Sequence, residues 1–198
     1  MTGEEKKALR WKTVKTEHIL KDQWIDFRRM TYELPDGKVY APFYTYSRRS
    51  YVVIVATDEE GRYICVCQYR YGIGEVTTEF VAGGIECEGK TDYLSEGEDP
   101  GRAEDMLAAA RRELKEETGY VSDDWEFLLK IPSNATIADN YAYIYRARNC
   151  RKASEQELDV YEFLNVETHT EEELEELIRT GNFQQAMHVM AYLLSKRN

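Results

Sequence analysis

The sequence has no apolar run approaching the roughly 20 residues that a bilayer-spanning helix requires. Its first ten residues, MTGEEKKALR, lack the apolar middle of a secretory signal. No membrane role is expected, and a soluble, cytoplasmic protein is. There is no excess of positive charge either: 26 basic against 37 acidic residues leave a net charge of −11. Nucleic-acid binders usually present a basic patch or stripe, so no nucleic-acid partner is expected. A small anionic ligand stays compatible with this balance, because cations held by clustered carboxylates reverse the local field. The cysteines are only four, Cys65, Cys67, Cys87 and Cys150. They lack the spacing of a zinc ribbon, and no His-plus-Cys cluster accompanies them. Cys65 and Cys67 stand at i and i+2, one face of a strand, and all four read as buried, reduced thiols. No internal repeat and no low-complexity tail is present.

What is present suits one domain, or a domain with a small appendage: 198 residues, 42% hydrophobic and 12% aromatic. The stretch IDFRRMTYELPDGKVYAPFYTYSRR reads as strands, with Pro35 to Gly37 as a hairpin turn. YVVIVATDEEGRYICVCQYRY is a second β region turning at Asp58 to Gly61, and EVTTEFVAGGIE is a strand ending at Gly83 and Gly84. From Cys87 to Gly101 the chain is polar, glycine-rich and aperiodic, which reads as a loop. Asp99-Pro100 looks like an N-cap with proline at the first helical position. The helix that follows is expected from about Gly101 to Thr118, ending at Gly119. Strands resume at DDWEFLLKI, NYAYIYRARN and YEFLNVE, and the chain closes with two helices broken near Gly181. Mixed strands and helices of this order predict an α+β or α/β sandwich.

The middle helix carries the chemistry. In RRELKEETGY, at about 100° per residue, Glu117 lies about 40° from Glu113 and Glu116 about 60° to its other side. The three carboxylates therefore share one face. Leu107, Ala110 and Leu114 form the adjoining apolar stripe that pins the helix to a core. Like charges so close repel by a few tenths of a kcal/mol per pair, and the negative end of the helix dipole makes matters worse. Arg112 can relieve part of this as the i,i+4 partner of Glu116. A hard divalent cation such as Mg²⁺ could relieve the rest. An ordinary solvated, charge-rich helix end is the alternative.

These ten residues resemble the core of the Nudix hydrolase signature, at Arg112, Glu113, Leu114, Glu116, Glu117, Gly119 and Tyr120, with Glu104 at the glutamate eight positions before the arginine. The family's glycine, six residues before that glutamate, falls here on Glu98; Gly83 and Gly84 are the nearest candidates upstream. The box is thus split by an insertion, roughly Cys87 to Gly101, which a surface loop accommodates at small cost. It would serve as a lid or specificity element, or be a plain surface excursion.

QYRYGIGEVTTEFVAGGIE is similar to the branch that hydrolyses ADP-ribose and nucleoside diphosphate sugars, with Val81 where that branch has proline. The resemblance implies an α+β Nudix sandwich over residues 48–198, and over residues 1–47 a small antiparallel β region that builds a homodimer. It implies metal ligation by Glu113, Glu117 and the Ala82 carbonyl, with Glu116 and Arg112 in the catalytic cluster. Arg70 would contact the diphosphate, or else sit in a surface ion pair. Glu79, which opens the strand-end motif, is a further substrate-binding candidate. Trp24 and Phe43 stand where the branch places aromatics that stack on the base, though core packing is the other reading for both. The base that activates water would come from the SEQELDVYE loop, with Glu162 first, then Asp159, then Glu157. His169 and His188 are read as structural. The activity implied is Mg²⁺-dependent (Mn²⁺ being the other candidate) cleavage of a nucleotide sugar to a nucleoside monophosphate and a sugar phosphate. The alternatives are the same chemistry on another sugar nucleotide such as GDP-mannose, or a non-catalytic nucleotide-sugar sensor.

Overall fold

The computed structural model describes residues 2–86 and 104–197, and these fall into two compact units. One holds the described residues of Met1–Arg49 together with Pro132–Asn140; the other holds those of Ser50–Glu86, Ala103–Ile131 and Tyr141–Asn198.

In the first unit, a short helix α1 (Gly3–Lys7) is closed by a capping box between Thr2 and Glu5. Strands β1 (Lys12–Lys21), β2 (Asp26–Glu33) and β3 (Val39–Ser47) then form an antiparallel sheet in chain order. The β2–β3 turn is the expected one: Gly37 sits at φ 82°, and the Leu34 N–H donates to the Lys38 carbonyl at 2.8 Å. Trp11, Tyr32, Tyr40 and Phe43 pack largely edge to face, with Trp11 centroids 5.6–6.1 Å from the other three. Arg28 donates to Ser47 and to Asp139, which ties Pro132–Asn140 to this sheet.

In the second unit β4 (Tyr51–Asp58) runs through the middle of a mixed sheet. It pairs with β5 (Tyr63–Arg70) around a turn with Gly61 at φ 80°, and β5 pairs in turn with β6 (Glu75–Glu79). The strand expected to run unbroken through EVTTEFVAGGIE is in fact two. At Phe80 the chain leaves β5 and continues as β7 (Val81–Gly84) on β4. The Phe80 N–H, lost to the ladder, donates to His188 Nδ1 at 3.1 Å.

Helix α2 spans Met106–Thr118, shorter than its sequence suggests. Its N-cap is Asp105, whose side chain accepts from the Leu107 and Ala108 N–H groups; Asp99 and Pro100 lie outside the described residues. Gly119 ends it at φ 69° as expected. Next come β8 (Tyr120–Val121), β9 (Asp124–Pro132), β10 (Tyr141–Lys152) and β11 (Leu164–His169). β10 lies parallel to β4, and β11 antiparallel to β5. β11 begins later than YEFLNVE suggests, leaving Tyr161 and Phe163 exposed outside it. Helices α3 (Glu171–Thr180) and α4 (Ala186–Ser195) follow, separated at Gly181 as expected.

The continuous apolar run of β4 is explained by burial on both faces. Val52, Ile54 and Ala56 pack with Ala109, Ala110 and Leu114 of α2. Val53 and Val55 pack with Leu174, Ala191 and Tyr192 of α3 and α4. The result is the α+β sandwich expected, helix on sheet on helices. Burying Leu114 alone contributes about 2 kcal/mol, enough to outweigh like-charge repulsion on the same helix. Cys65 and Cys150 are buried free thiols, whereas Cys67 is only half-buried because it lies near the end of β5; Cys87 lies outside the described residues. No helix among the described residues is long and apolar enough to cross a membrane.

Candidate active site

The last turn of α2 holds the three carboxylates at different depths. Glu113 and Glu117 are buried, at 7% and 4% exposure, while the Glu116 side chain is half-exposed. Arg112 gathers the outer ones: it donates to Glu104 at 3.0 Å, Glu113 at 2.9 Å, Glu116 at 3.0 Å and the Gly84 carbonyl at 3.0 Å. The i,i+4 pair read from sequence is present, and Glu104 is the arginine's further partner. The inner face is closed by β7. A methyl group built on Gly83 would lie 1.9 Å from Glu113 Cδ, so the carboxylate rests directly on this glycine.

Burial raises the Glu113 carboxyl to about 7, against the opposing charge of Arg112. Glu117 goes well above the usual carboxylate range, chiefly through burial and then through the charges of Glu113 and Glu162. Arg70 and a hydrogen bond from the Ala82 backbone oppose this. Glu117 Oε2 is buried with no hydrogen-bond partner. A buried carboxylate oxygen left open beside a second buried carboxylate is costly to maintain without a cation.

Among the described residues no three acidic, histidine or cysteine side chains form a ready-made metal cage. A full cage is not what Mg²⁺ requires, since it takes one or two carboxylates and keeps waters and substrate oxygens as its other ligands. Glu113 and Glu117 meet that requirement. An extended residue presents its N–H and C=O to the same strand edge. The Ala82 N–H reaches Glu117, so the carbonyl shares that edge and completes a fitting donor set.

Arg70 lies at the end of β5, close enough for Glu117 to act on its charge. Its Nε donates to Glu79 at 2.9 Å, and a second nitrogen bonds the other Glu79 oxygen. Gln68 donates to the same carboxylate at 2.9 Å. Glu79, expected among the substrate contacts, has no exposed surface. Its oxygens are taken by Arg70 and Gln68. Gln68 was not singled out by sequence reasoning, although its i, i+2 spacing to Arg70 puts both on one strand face.

Of the loop acids, Glu162 is the one whose charge raises both Glu113 and Glu117. Asp159 and Glu157 are exposed, and the Asp159 N–H donates to Glu162 Oε2 at 2.9 Å. His188 is fully enclosed, and burial lowers it to about 3, so it is a neutral acceptor for Phe80. His169 pairs with Glu167 at 3.2 Å. In the first unit, Trp24 stands exposed in the β1–β2 turn with its N–H on Asp22, and Phe43 is half-buried in the aromatic cluster. The insertion at Cys87 to Gly101 and its lid role lie outside the described residues.

Residues 47–190 match the family described as NUDIX domain, and the chain belongs to that family. It is therefore a Nudix hydrolase, of a family whose members generally use divalent metal ions. The chain is 28% identical over 187 residues to a methanol dehydrogenase activator from Bacillus methanolicus, covering 91% of this chain and 89% of that protein. It is 29% identical over 181 residues to an ADP-ribose pyrophosphatase from Bacillus subtilis (strain 168), covering 88% and 86%. In structure it is similar to a crystal structure of ADP compounds hydrolase, with a TM-score of 0.74, 21% identity and coverage of 94% and 92%. The resemblance to the ADP-ribose pyrophosphatase branch stands on these relatives.

Proposed function

We propose that the protein hydrolyses the diphosphate of ADP-ribose or a related nucleoside diphosphate sugar, with Mg²⁺, releasing a nucleoside monophosphate and a sugar phosphate. The observation that carries this is the open, buried Oε2 of Glu117 beside Glu113, with the Arg70 guanidinium close by. Glu113, Glu117 and the Ala82 carbonyl would hold the ion, with Glu116 alongside. Bound there, a divalent cation offsets charge on the diphosphate oxygens and acidifies water. Arg112 fixes Glu113 and Glu116 in place through its fork of donors. Arg70, aimed by Glu79, takes a diphosphate oxygen. Glu162 accepts the proton of the attacking water as its oxygen bonds to phosphorus and the bridging P–O bond breaks. Trp24 and Phe43 are proposed to stack on the base. The free thiols of Cys65, Cys67 and Cys150 suit a reducing compartment such as the cytoplasm.

A panel of nucleotide sugars that includes ADP-ribose and GDP-mannose, assayed with Mg²⁺ or Mn²⁺, tests this reading. ADP-ribose is expected to be cleaved, EDTA to abolish cleavage, and Glu117→Gln to lower kcat at least about a hundredfold, the scale of losing one key electrostatic group. The likeness to the methanol dehydrogenase activator favours a second reading, a nucleotide-sensing regulator. Tight binding without turnover of any panel member would support that reading and sink the first.

We further propose a homodimer formed through the first unit. β1 is exposed along nearly its whole length, and Val14, Ile19, Leu20, Trp24 and Val39 show open apolar surface. A patch of this kind marks an association site. Light scattering on the purified protein is expected to give twice the 23.2 kDa chain mass; a monomer at micromolar concentration would remove this proposal.

A further inference from the structure

The final carbonyls of any helix lack partners within it. In α2 they are taken by a segment more than thirty residues downstream. Lys152 Nζ donates to the Thr118 carbonyl at 2.9 Å, Gln156 Nε2 to that of Glu117 at 2.7 Å, and the Glu157 N–H to that of Glu116 at 2.9 Å. The Ala153 and Ser154 N–H groups both donate to the Gly119 carbonyl, at 2.8 and 3.2 Å. The strap lies hard against the helix end, for a methyl group on Gly119 would stand 2.0 Å from the Ser154 oxygen. Leu158 packs on the core beneath α2.

Between Leu158 and the start of β11 at Leu164 the chain is loosely held. Val160, Tyr161 and Phe163 are each more than 80% exposed. Glu162 sits among them in a turn held by its own two bonds with Asp159. Nothing in that outer turn packs firmly, so its position is set from its two ends, by Leu164 paired on β5 and by the strap bound to α2. Two side chains in the strap bond to helix carbonyls. Lys152 reaches Thr118, outside the carboxylate pair. Gln156 reaches Glu117 itself, joining the residue that bears the open carboxylate to the loop that bears Glu162.

We propose that Gln156 is a positioning residue for hydrolysis, its side-chain amide holding the Glu162 loop in register with the carboxylate turn of α2. This rests on the reading of Glu162 as the base. The test compares Gln156→Leu, which removes the donor at similar volume, with Gln156→Lys, which restores one. Each is combined with Glu162→Gln and assayed on ADP-ribose with Mg²⁺. Gln156→Leu lowers kcat about tenfold while KM stays within about twofold, the pattern of a lost transition-state alignment. Gln156→Lys recovers most of that loss. Glu162→Gln costs at least about fivefold less in the Gln156→Leu background than alone, because the two residues act as a unit. A Gln156→Leu protein that melts at lower temperature with kcat unchanged would make the amide a mere cap and overturn the proposal. So would an equal cost of Glu162→Gln in both backgrounds. If Glu162→Gln by itself leaves kcat intact, the base assignment fails first and the positioning role goes with it.

Discussion

Gly83→Ala is expected to lower kcat on the order of a thousandfold, the upper range for losing one electrostatic group. The added methyl would stand 1.9 Å from Cδ and 2.1 Å from both oxygens of Glu113, far inside contact distance. The Gly83 backbone does not lie in the left-handed region, so alanine itself fits the strand. Yielding therefore falls to the end of a flexible side chain, and Glu113 swings out of the site. Circular dichroism should show the fold retained while calorimetry shows Mg²⁺ affinity reduced. Normal turnover together with normal affinity would mean that Glu113 holds no metal.

Stripped of divalent ions, the protein should lose stability as pH rises from about 5 to 8. Burial pushes the folded Glu113 carboxyl up to about 7, against 4.5 for an unperturbed glutamate. Between those values the folded state keeps a proton that the unfolded chain has released, so the slope of stability with pH is negative there. The stabilisation is complete below the unfolded value and lost as pH passes through 7. At about 1.4 kcal/mol per unit, the loss across that window is roughly 3 kcal/mol for Glu113. Glu117 is raised as well, chiefly by burial, and adds to the decline. Mg²⁺ should flatten the curve, because the ion and the proton compete for the same oxygens. Urea melts at pH 5 and pH 8, in EDTA and in Mg²⁺, measure this directly. A flat or rising EDTA series would show that these carboxylates are not buried as described.

The carboxylate turn was legible in the sequence because every requirement on it is local. Helical spacing puts Glu113, Glu116 and Glu117 on one face, Leu114 beside them marks the buried side, and Gly119 marks the end. The hairpins at Gly37 and Gly61 were legible for the same reason, since turn chemistry is written in adjacent residues. The helix start was misplaced because Asp99-Pro100 carries a stronger local signal than Asp105, the residue that caps. The break at Phe80 was hidden because alternation continues through it, and only the partner strand changes. The burial of Glu79 was not legible because a strand carboxylate ordinarily faces water, whereas this one is matched by Arg70 and Gln68 from the neighbouring strand. Gln156 bonds across a separation of 39 residues, which no local pattern announces.

The partner of the Phe80 amide has a consequence for the order in which the protein comes into being. His188 follows Phe80 by 108 residues and sits on α4, the last helix described. A chain emerging from the ribosome therefore exposes its glycines first and its glutamates soon after, yet the amide at the bend before Ala82 gains its partner only once α4 has been made.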